Sequence, residues 1–282
     1  MKKYNFAVFI LSYKRANNII TYKTLRNQNY TGDIYIVIDN TDPEQEIYKQ
    51  IYGDKVIVFD KQEVAKKVDT IDNFKKMNAV VYARNKVWDI AKDLELDYFL
   101  VLDDDYNVVA TRYIKDNLFK QKAIPNLDKL FEITLDYFIE SGAKALAYGQ
   151  NGDFIGGAGS YLWRQKILRK MMNSFFFKTS EPIKFKGSTN EDVNAYVYFG
   201  NKGDLFITIR DVAINQAQTQ KQEGGLTDIY LEQGTYIKSL YSVIVHPAGV
   251  KINRMGDSYK RIHHNVIWEH TVPKILNQKY KK

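Results

Sequence analysis

Three consecutive carboxylates follow an apolar run in Leu100-Val101-Leu102-Asp103-Asp104-Asp105-Tyr106. Side chains alternate along a strand, so Asp103 and Asp105 share one side if the extended geometry persists. Two carboxylates held rigidly on one side suit a hard divalent cation that also takes phosphate oxygens. Acidic residues also end strands in ordinary polar turns, so the triplet needs context. Ala83-Arg84-Asn85 lies in the helical pattern that leads into this run. An arginine there can pair with a diphosphate or hold a carboxylate of the site. Ser12-Tyr13-Lys14-Arg15 closes the first apolar run and Asp39-Asn40 the second. An Asp in that position can accept from a base N–H or a ribose hydroxyl, or simply cap a turn. Further on, Gly156-Gly157-Ala158-Gly159 lets backbone approach a ligand closely. Asn190-Glu191-Asp192 places two carboxylates at a helix start, where the dipole favours them and where one can act as a general base. All four histidines are late: His246, His263, His264 and His270.

These groups need elements to hold them. Phe6–Leu11, Asp33–Asp39, Lys55–Phe59 and Tyr98–Leu102 read as strands, and 16–28, 44–52 and 76–94 as helices. Strands that are apolar throughout and alternate with helices point to an α/β fold with a parallel sheet covered on both faces. Ligands of such sheets bind outside the carboxyl ends of the strands, where the polar residues above fall. The second half reads as helices over 126–141 and 190–200. Its strands are expected at Ala145–Tyr148, Leu205–Arg210, Thr227–Leu231 and Leu240–His246, with a loop over 213–226. No linker interrupts the chain, so one continuous domain is expected over 1–282.

The chain has 282 residues, no cysteine and a net charge of +8. Disulfides, thiolate metal sites and a cysteine nucleophile are thereby excluded. No apolar run approaches the ~18–20 residues of a membrane helix, and no secretory signal pattern opens the chain. An intracellular, soluble protein is expected. Residues 251–282 hold eight basic and two acidic residues, so most of the excess charge lies there. Ile167–Phe177 is basic and aromatic enough to be weighed as a membrane-docking segment.

In order and spacing, Ser12-Tyr13-Lys14-Arg15, Asp39, Ala83-Arg84-Asn85 and Asp103-Asp104-Asp105 resemble the GT-A glycosyltransferases. Phe9–Ala16, Ile36–Asp42, Asp72-Asn73-Phe74, Phe99–Tyr106 and Tyr259–His264 resemble one branch, the TET-associated glycosyltransferases, found largely in bacteriophages. The resemblance implies a GT-A type, Rossmann-like, mostly parallel sheet flanked by helices, with a smaller antiparallel acceptor-side region. It implies a UDP-sugar donor and Mn²⁺ or Mg²⁺. It divides the chain into a donor half (1–123), an acceptor half (124–250) and a basic segment closing the site (251–282). Ser12, Tyr13, Arg15, Asp39, Asp72, Arg84, Asn85, Asp103, Asp104, Gly157 and Lys260 would bind the nucleotide sugar. Asp103 and Asp105 would hold the metal, with a late histidine, His263 or His264, as a further ligand. Asp192, beside Glu191, would be the base of an inverting transfer. The implied acceptor is a hydroxyl of a modified base such as 5-hydroxymethylcytosine in double-stranded phage DNA, with no stable membrane association. The alternatives are a bacterial enzyme of cell-surface polysaccharide synthesis and a non-catalytic nucleotide- or nucleic-acid-binding protein.

Overall fold

The computed structural model describes residues 3–72, 77–116, 118–154, 157–159, 169–216, 227–255, 261–271 and 278. Its parallel first half runs β1 (Phe6–Leu11), α1 (Ile20–Asn27), β2 (Asp33–Asp39), α2 (Gln45–Tyr52), β3 (Val56–Phe59), α3 (Lys61–Ala65), α4 (Val81–Asp93) and β4 (Tyr98–Asp103). A hairpin follows, β5 (Tyr106–Lys115) and β6 (Leu118–Ala123). Then come α5 (Leu127–Ser141), β7 (Ala145–Gln150), β8 (Ser174–Lys178), α6 (Glu191–Asn201) and β9 (Phe206–Gln216). The chain continues through α7 (Thr227–Val245), β10 (Val250–Met255), β11 (Arg261–Val266) and α8 (Trp268–Thr271).

Among the described residues, β1 to β9 form one sheet in the order β3-β2-β1-β4-β8-β7-β9-β5-β6, and β10 and β11 form a separate antiparallel pair. β1 pairs parallel with β2 and β4, and β7 parallel with β9. β8 runs antiparallel between β4 and β7. This is the expected α/β fold, with antiparallel strands added in the second half.

Alternation along each strand divides the core. Leu100 and Leu102 join Val8, Ile10, Ile36 and Phe131 on one face. Phe99 and Val101 join Phe9, Trp88 and Phe177 on the other. α5 covers the first face, and α4 and α6 cover the second. Apolar burial on both faces is why these strands read as unbroken apolar runs.

Four expectations are corrected. The helix over 16–28 is a 3₁₀ turn, Ala16–Asn18, followed by α1. Thr227–Leu231 and Leu240–His246 are not strands: 227–245 is the single helix α7. Its β-branched and aromatic residues imitate strands. In α7, however, Ser239 and Ser242 are buried beside Tyr241, the period of a helix packed on a neighbour. The expected loop over 213–226 belongs to β9 up to Gln216, and 217–226 lies outside the described residues. Finally, Phe175, Phe176 and Phe177 are buried in β8, between β4 and β7. These aromatics form core, not a membrane-docking face, and 161–168 lies outside the described residues. No helix among the described residues is long and apolar enough to cross a membrane.

Candidate active site

The carboxyl ends of β1, β2 and β4 lie side by side, and their polar residues meet there. The central carboxylate of the triplet turns toward β1. Asp104 accepts from Ser12 Oγ at 2.6 Å and from Arg15 Nη1 at 2.6 Å. Tyr48 braces this corner: its hydroxyl lies 2.8 Å from Ser12 Oγ and accepts the Arg15 N–H at 3.0 Å. Thr21, on α1, fixes the backbone of the triplet. Its hydroxyl donates to the Asp103 carbonyl at 2.6 Å and accepts the Tyr106 N–H at 2.9 Å.

Asp103 and Asp105 are left to other partners. Asp103 lies 3.4 Å from Arg84 Nη2 and accepts from the Tyr106 hydroxyl at 3.2 Å. Asp105 accepts from Gln216 Nε2 at 3.0 Å through Oδ2, while its Oδ1 is buried without a partner. Burial and the neighbouring Asp103 charge push the Asp105 carboxyl up to about 7.

The second half brings its own carboxylates to the same place. Asn190, at a left-handed φ of 56°, precedes α6. Its Nδ2 lies 3.1 Å from the Lys238 carbonyl, 3.2 Å from Ser242 Oγ and 3.1 Å from His264 Nδ1. The helix start is thereby tied to α7 and β11. Glu191 pairs with Arg84 Nη1 at 3.1 Å. Burial, with the Asp192 and Asp103 charges added, outweighs Arg84 and pushes Glu191 up to about 7. Asp192 is only 7% exposed and accepts the Val193 N–H at 2.7 Å through Oδ1. Its Oδ2 has no hydrogen bond among the described residues.

The remaining expected residues divide between the site and the frame. Asp39 ends β2 and pairs with Lys61 at 2.7 Å, and Lys61 Nζ lies 5.0 Å from the Tyr13 ring centroid. Asp72 accepts from Ser188 Oγ at 2.6 Å and from the Tyr241 hydroxyl, joining its loop to α7. Asn85 works within the frame: it donates to the carbonyls of Val81 and Phe185 and accepts the Phe185 N–H. Its amide therefore has little left for a donor. Gly157 takes a φ of 59°, and a Cβ there would meet nothing within 4 Å. Lys260, Gly156 and Asn73-Phe74 lie outside the described residues.

Among the described residues no three His, Asp or Glu side chains stand together as a metal cage. His263 and His264 lie on β11, where His263 Nδ1 meets the His264 carbonyl at 2.6 Å. His264 packs against Asn190 instead, and burial, reinforced by His263, Lys238 and Lys170, pushes it down to about 3. A hairpin register fixes these positions, and residue spacing does not reveal it.

Sequence reasoning also missed several partners. A buried Lys170–Asp153 ion pair lies at the end of β7, with the Gln150 N–H donating to Asp153 at 3.0 Å. Tyr106, Gln216 and Lys61 hold carboxylates that the sequence did expose. Gln216 and Lys61 carry no local signal, because each is brought in from a distant segment, whereas Tyr106 follows the triplet directly.

The arrangement has the chemistry of a transfer site. Asp103 and Asp105 lie at one end of a parallel sheet, and Glu191 and Asp192 approach from the second half of the chain. The TET-associated glycosyltransferase family model matches residues 6–225. No curated protein matches the chain significantly. Among solved structures, glucosyl-3-phosphoglycerate synthase from Mycobacterium tuberculosis with Mg²⁺ and uridine diphosphate is similar. It has 9% identity and a TM-score of 0.50, covering 94% of this chain and 88% of that one. The same enzyme with Mn²⁺, UDP-glucose and glycerol 3-phosphate has 8% identity and a TM-score of 0.50, covering 89% and 84%.

Proposed function

The chain belongs to the TET-associated glycosyltransferases, and from that premise we propose that it moves a sugar from a UDP-sugar to a hydroxyl of a modified base, such as 5-hydroxymethylcytosine, in double-stranded phage DNA. The observation that carries this reading is the junction of two halves. Arg84 stands between Asp103 of the donor half and Glu191, the neighbour of Asp192, in the acceptor half.

A divalent cation fits the residues present. Asp105 keeps a buried Oδ1 with no partner and a carboxyl raised by burial and by the neighbouring Asp103 charge. Asp103 and Asp105 would hold Mn²⁺ or Mg²⁺, hard cations that take carboxylate and phosphate oxygens. When bound, such an ion stabilises the negative charge developing on the departing diphosphate. The solved synthases were crystallised with these ions and UDP or UDP-glucose, which supports the same donor class here.

The protein groups then divide the work. Ser12 and Arg15 fix Asp104, and with it the direction of the triplet. Asp39 and Lys61 stand at the end of β2 beside Tyr13, where the nucleoside would lie. Asp192 takes the proton from the acceptor hydroxyl through its open oxygen. The acceptor oxygen forms a bond to the sugar's anomeric carbon, and the bond from that carbon to UDP breaks, with its electron pair leaving on UDP. Attack from the side opposite UDP inverts the anomeric centre.

Incubation with Mn²⁺, a panel of UDP-sugars and duplex DNA, with or without 5-hydroxymethylcytosine, tests this. Nucleoside mass spectrometry should show one sugar added only to the hydroxymethylated DNA. Asp192→Asn should lower kcat by about 10²–10⁴-fold with little change in donor KM. Donor hydrolysis without any mass gain on DNA would remove the DNA acceptor.

A further inference from the structure

β5 leaves the main sheet partway along its length. It pairs with β9 from Tyr106 to Thr111, and beyond that Arg112 to Lys115 pair with β6. β6 is the last strand of the sheet. The result is a two-stranded ribbon whose two faces differ in chemistry.

The register places Thr111 opposite Lys122, Tyr113 opposite Lys120 and Lys115 opposite Leu118. Directly opposed residues share a face. That face carries three lysines around Tyr113 and no carboxylate. Lys115, Lys120 and Lys122 are exposed and have no ion-pair partner among the described residues. Tyr113 is 40% exposed and Leu118 57%. On the other face the polar groups serve the protein itself. Arg112 lies over the Phe119 ring at 5.8 Å and donates to Asn215 at 3.1 Å, and Asn215 donates to Gln121 at 3.2 Å. One face is braced against the body of the protein, and the other is left for a partner.

Lysines on an edge strand also prevent unwanted strand pairing. Lys115 also lies where β5 has left β9, but the three lysines gather with Tyr113 on one face of the ribbon rather than along one edge. The root of the ribbon is also informative. β5 starts at Tyr106, which hydrogen-bonds Asp103, and its nine further residues span about 30 Å at ~3.3 Å each. One turn of B-DNA is about 34 Å.

Resting on the DNA reading above, we propose that the open face of the β5–β6 ribbon docks the phosphate backbone of duplex DNA about one helical turn from the reacting base. The three ammonium groups neutralise phosphates, and Tyr113 packs on the sugar edge between them. The ribbon contributes affinity and register rather than chemistry, because sequence-independent phosphate contacts position a protein on a duplex.

The test replaces Lys115, Lys120 and Lys122 together by serine. Binding to a duplex of about 30 base pairs, roughly three turns, is followed by fluorescence anisotropy across a salt series. UDP-sugar hydrolysis without DNA is measured in parallel. The variant should bind about tenfold or more weakly at low salt, with a log–log salt slope shallower by roughly 2–3 and unchanged donor hydrolysis. Equal affinity and slope in variant and wild type overturn the ribbon assignment and leave the DNA reading standing. A wild type that hydrolyses UDP-sugar yet binds no duplex removes the DNA reading and the ribbon's role with it. Lysine-dependent sedimentation with phosphatidylglycerol vesicles, without duplex binding, overturns the proposal in favour of a membrane surface.

Discussion

The Arg84 guanidinium is buried 3.1 Å from Glu191, yet neither its Nε nor its Nη1 makes a directed hydrogen bond. Charge holds it, between Glu191 and Asp103, and so does the Phe175 ring 4.5 Å away. An arginine held this way fixes the separation of two carboxylates without being free to grip a diphosphate. Of the two roles open to it in the sequence, its contacts here are those of the second, with carboxylates.

Removing one partner of this pair should cost more than removing both. A buried charge left alone typically costs about 3–5 kcal/mol, whereas replacing the whole pair is often near neutral. Arg84→Met should therefore destabilise by roughly 3 kcal/mol, and Arg84→Met with Glu191→Gln should recover most of that. Transfer should stay low in both, because Asp192 loses the anchor beside it. Urea denaturation and steady-state kinetics on the four proteins of the cycle check this. Additive stability losses would show that the pair is not coupled.

The raised carboxyls of Asp105 and Glu191 predict a pH dependence for the metal-free protein. Both titrate near about 7 in the folded chain, against about 4 in an unfolded one. The folded state therefore holds protons that the unfolded state has released. This stabilisation is complete below about pH 4 and lost as pH rises toward about 7. Thermal midpoints without metal should show this fall in the wild type and less of it in Asp105→Asn. Saturating Mn²⁺ should reverse the fall at neutral pH in the wild type and leave Asp105→Asn nearly unchanged.

The two pairs, His263–His264 and Asp103–Asp105, give a contrast. His263→Ala should leave Mn²⁺ affinity within about twofold, whereas Asp103→Asn should lower it tenfold or more, since a lost anionic ligand is worth more than ~1.4 kcal/mol. His264 acts on stability instead. Its imidazole is pushed down to about 3 against an ordinary ~6.5, so the folded state refuses a proton that the unfolded state accepts. Its stabilisation is present above about pH 6.5 and lost as pH falls toward about 3. His264→Asn should flatten that acid limb relative to the wild type. Calorimetric metal titration and pH-dependent melting separate the two effects.

Legibility from sequence followed the locality of the signal. β1, β2 and β4 are buried on both faces, so each announced itself as an apolar run, and the polar residues at their ends fell where the fold requires ligands. Asp103, Asp104 and Asp105 were readable for that reason. Which carboxylate faces which partner was not. Asp104 turns to Ser12 and Arg15 because β1 and β4 are neighbours in the sheet, and pairing order is a non-local property. α7 was misread because Ile, Val and Tyr favour strands locally, while packing on α6 imposed a helix. The β5–β6 ribbon gave no clear signal, since half of its residues are exposed and polar on both strands.

The basic segment 251–282 is expected to close over the donor, and its described part packs on α6. Val250 is buried, His264 meets Asn190 at the start of α6, and Trp268 stacks on Tyr196 of α6 with ring centroids 5.8 Å apart. Thr271 donates to the Gly249 carbonyl at 3.2 Å, closing the hairpin onto its own root. The segment therefore braces α6, whose first turn carries Glu191 and Asp192. Trp268→Ala removes the stacked ring and should destabilise by about 2 kcal/mol, below the 3–5 of a fully buried aromatic because Trp268 is only half-buried. It should lower kcat more than donor KM, since the displaced group is the proposed base and not the nucleotide pocket. Truncation after Gly249 should abolish transfer. A truncated protein that folds and transfers sugar at the wild-type rate would separate the segment from α6 and refute this coupling.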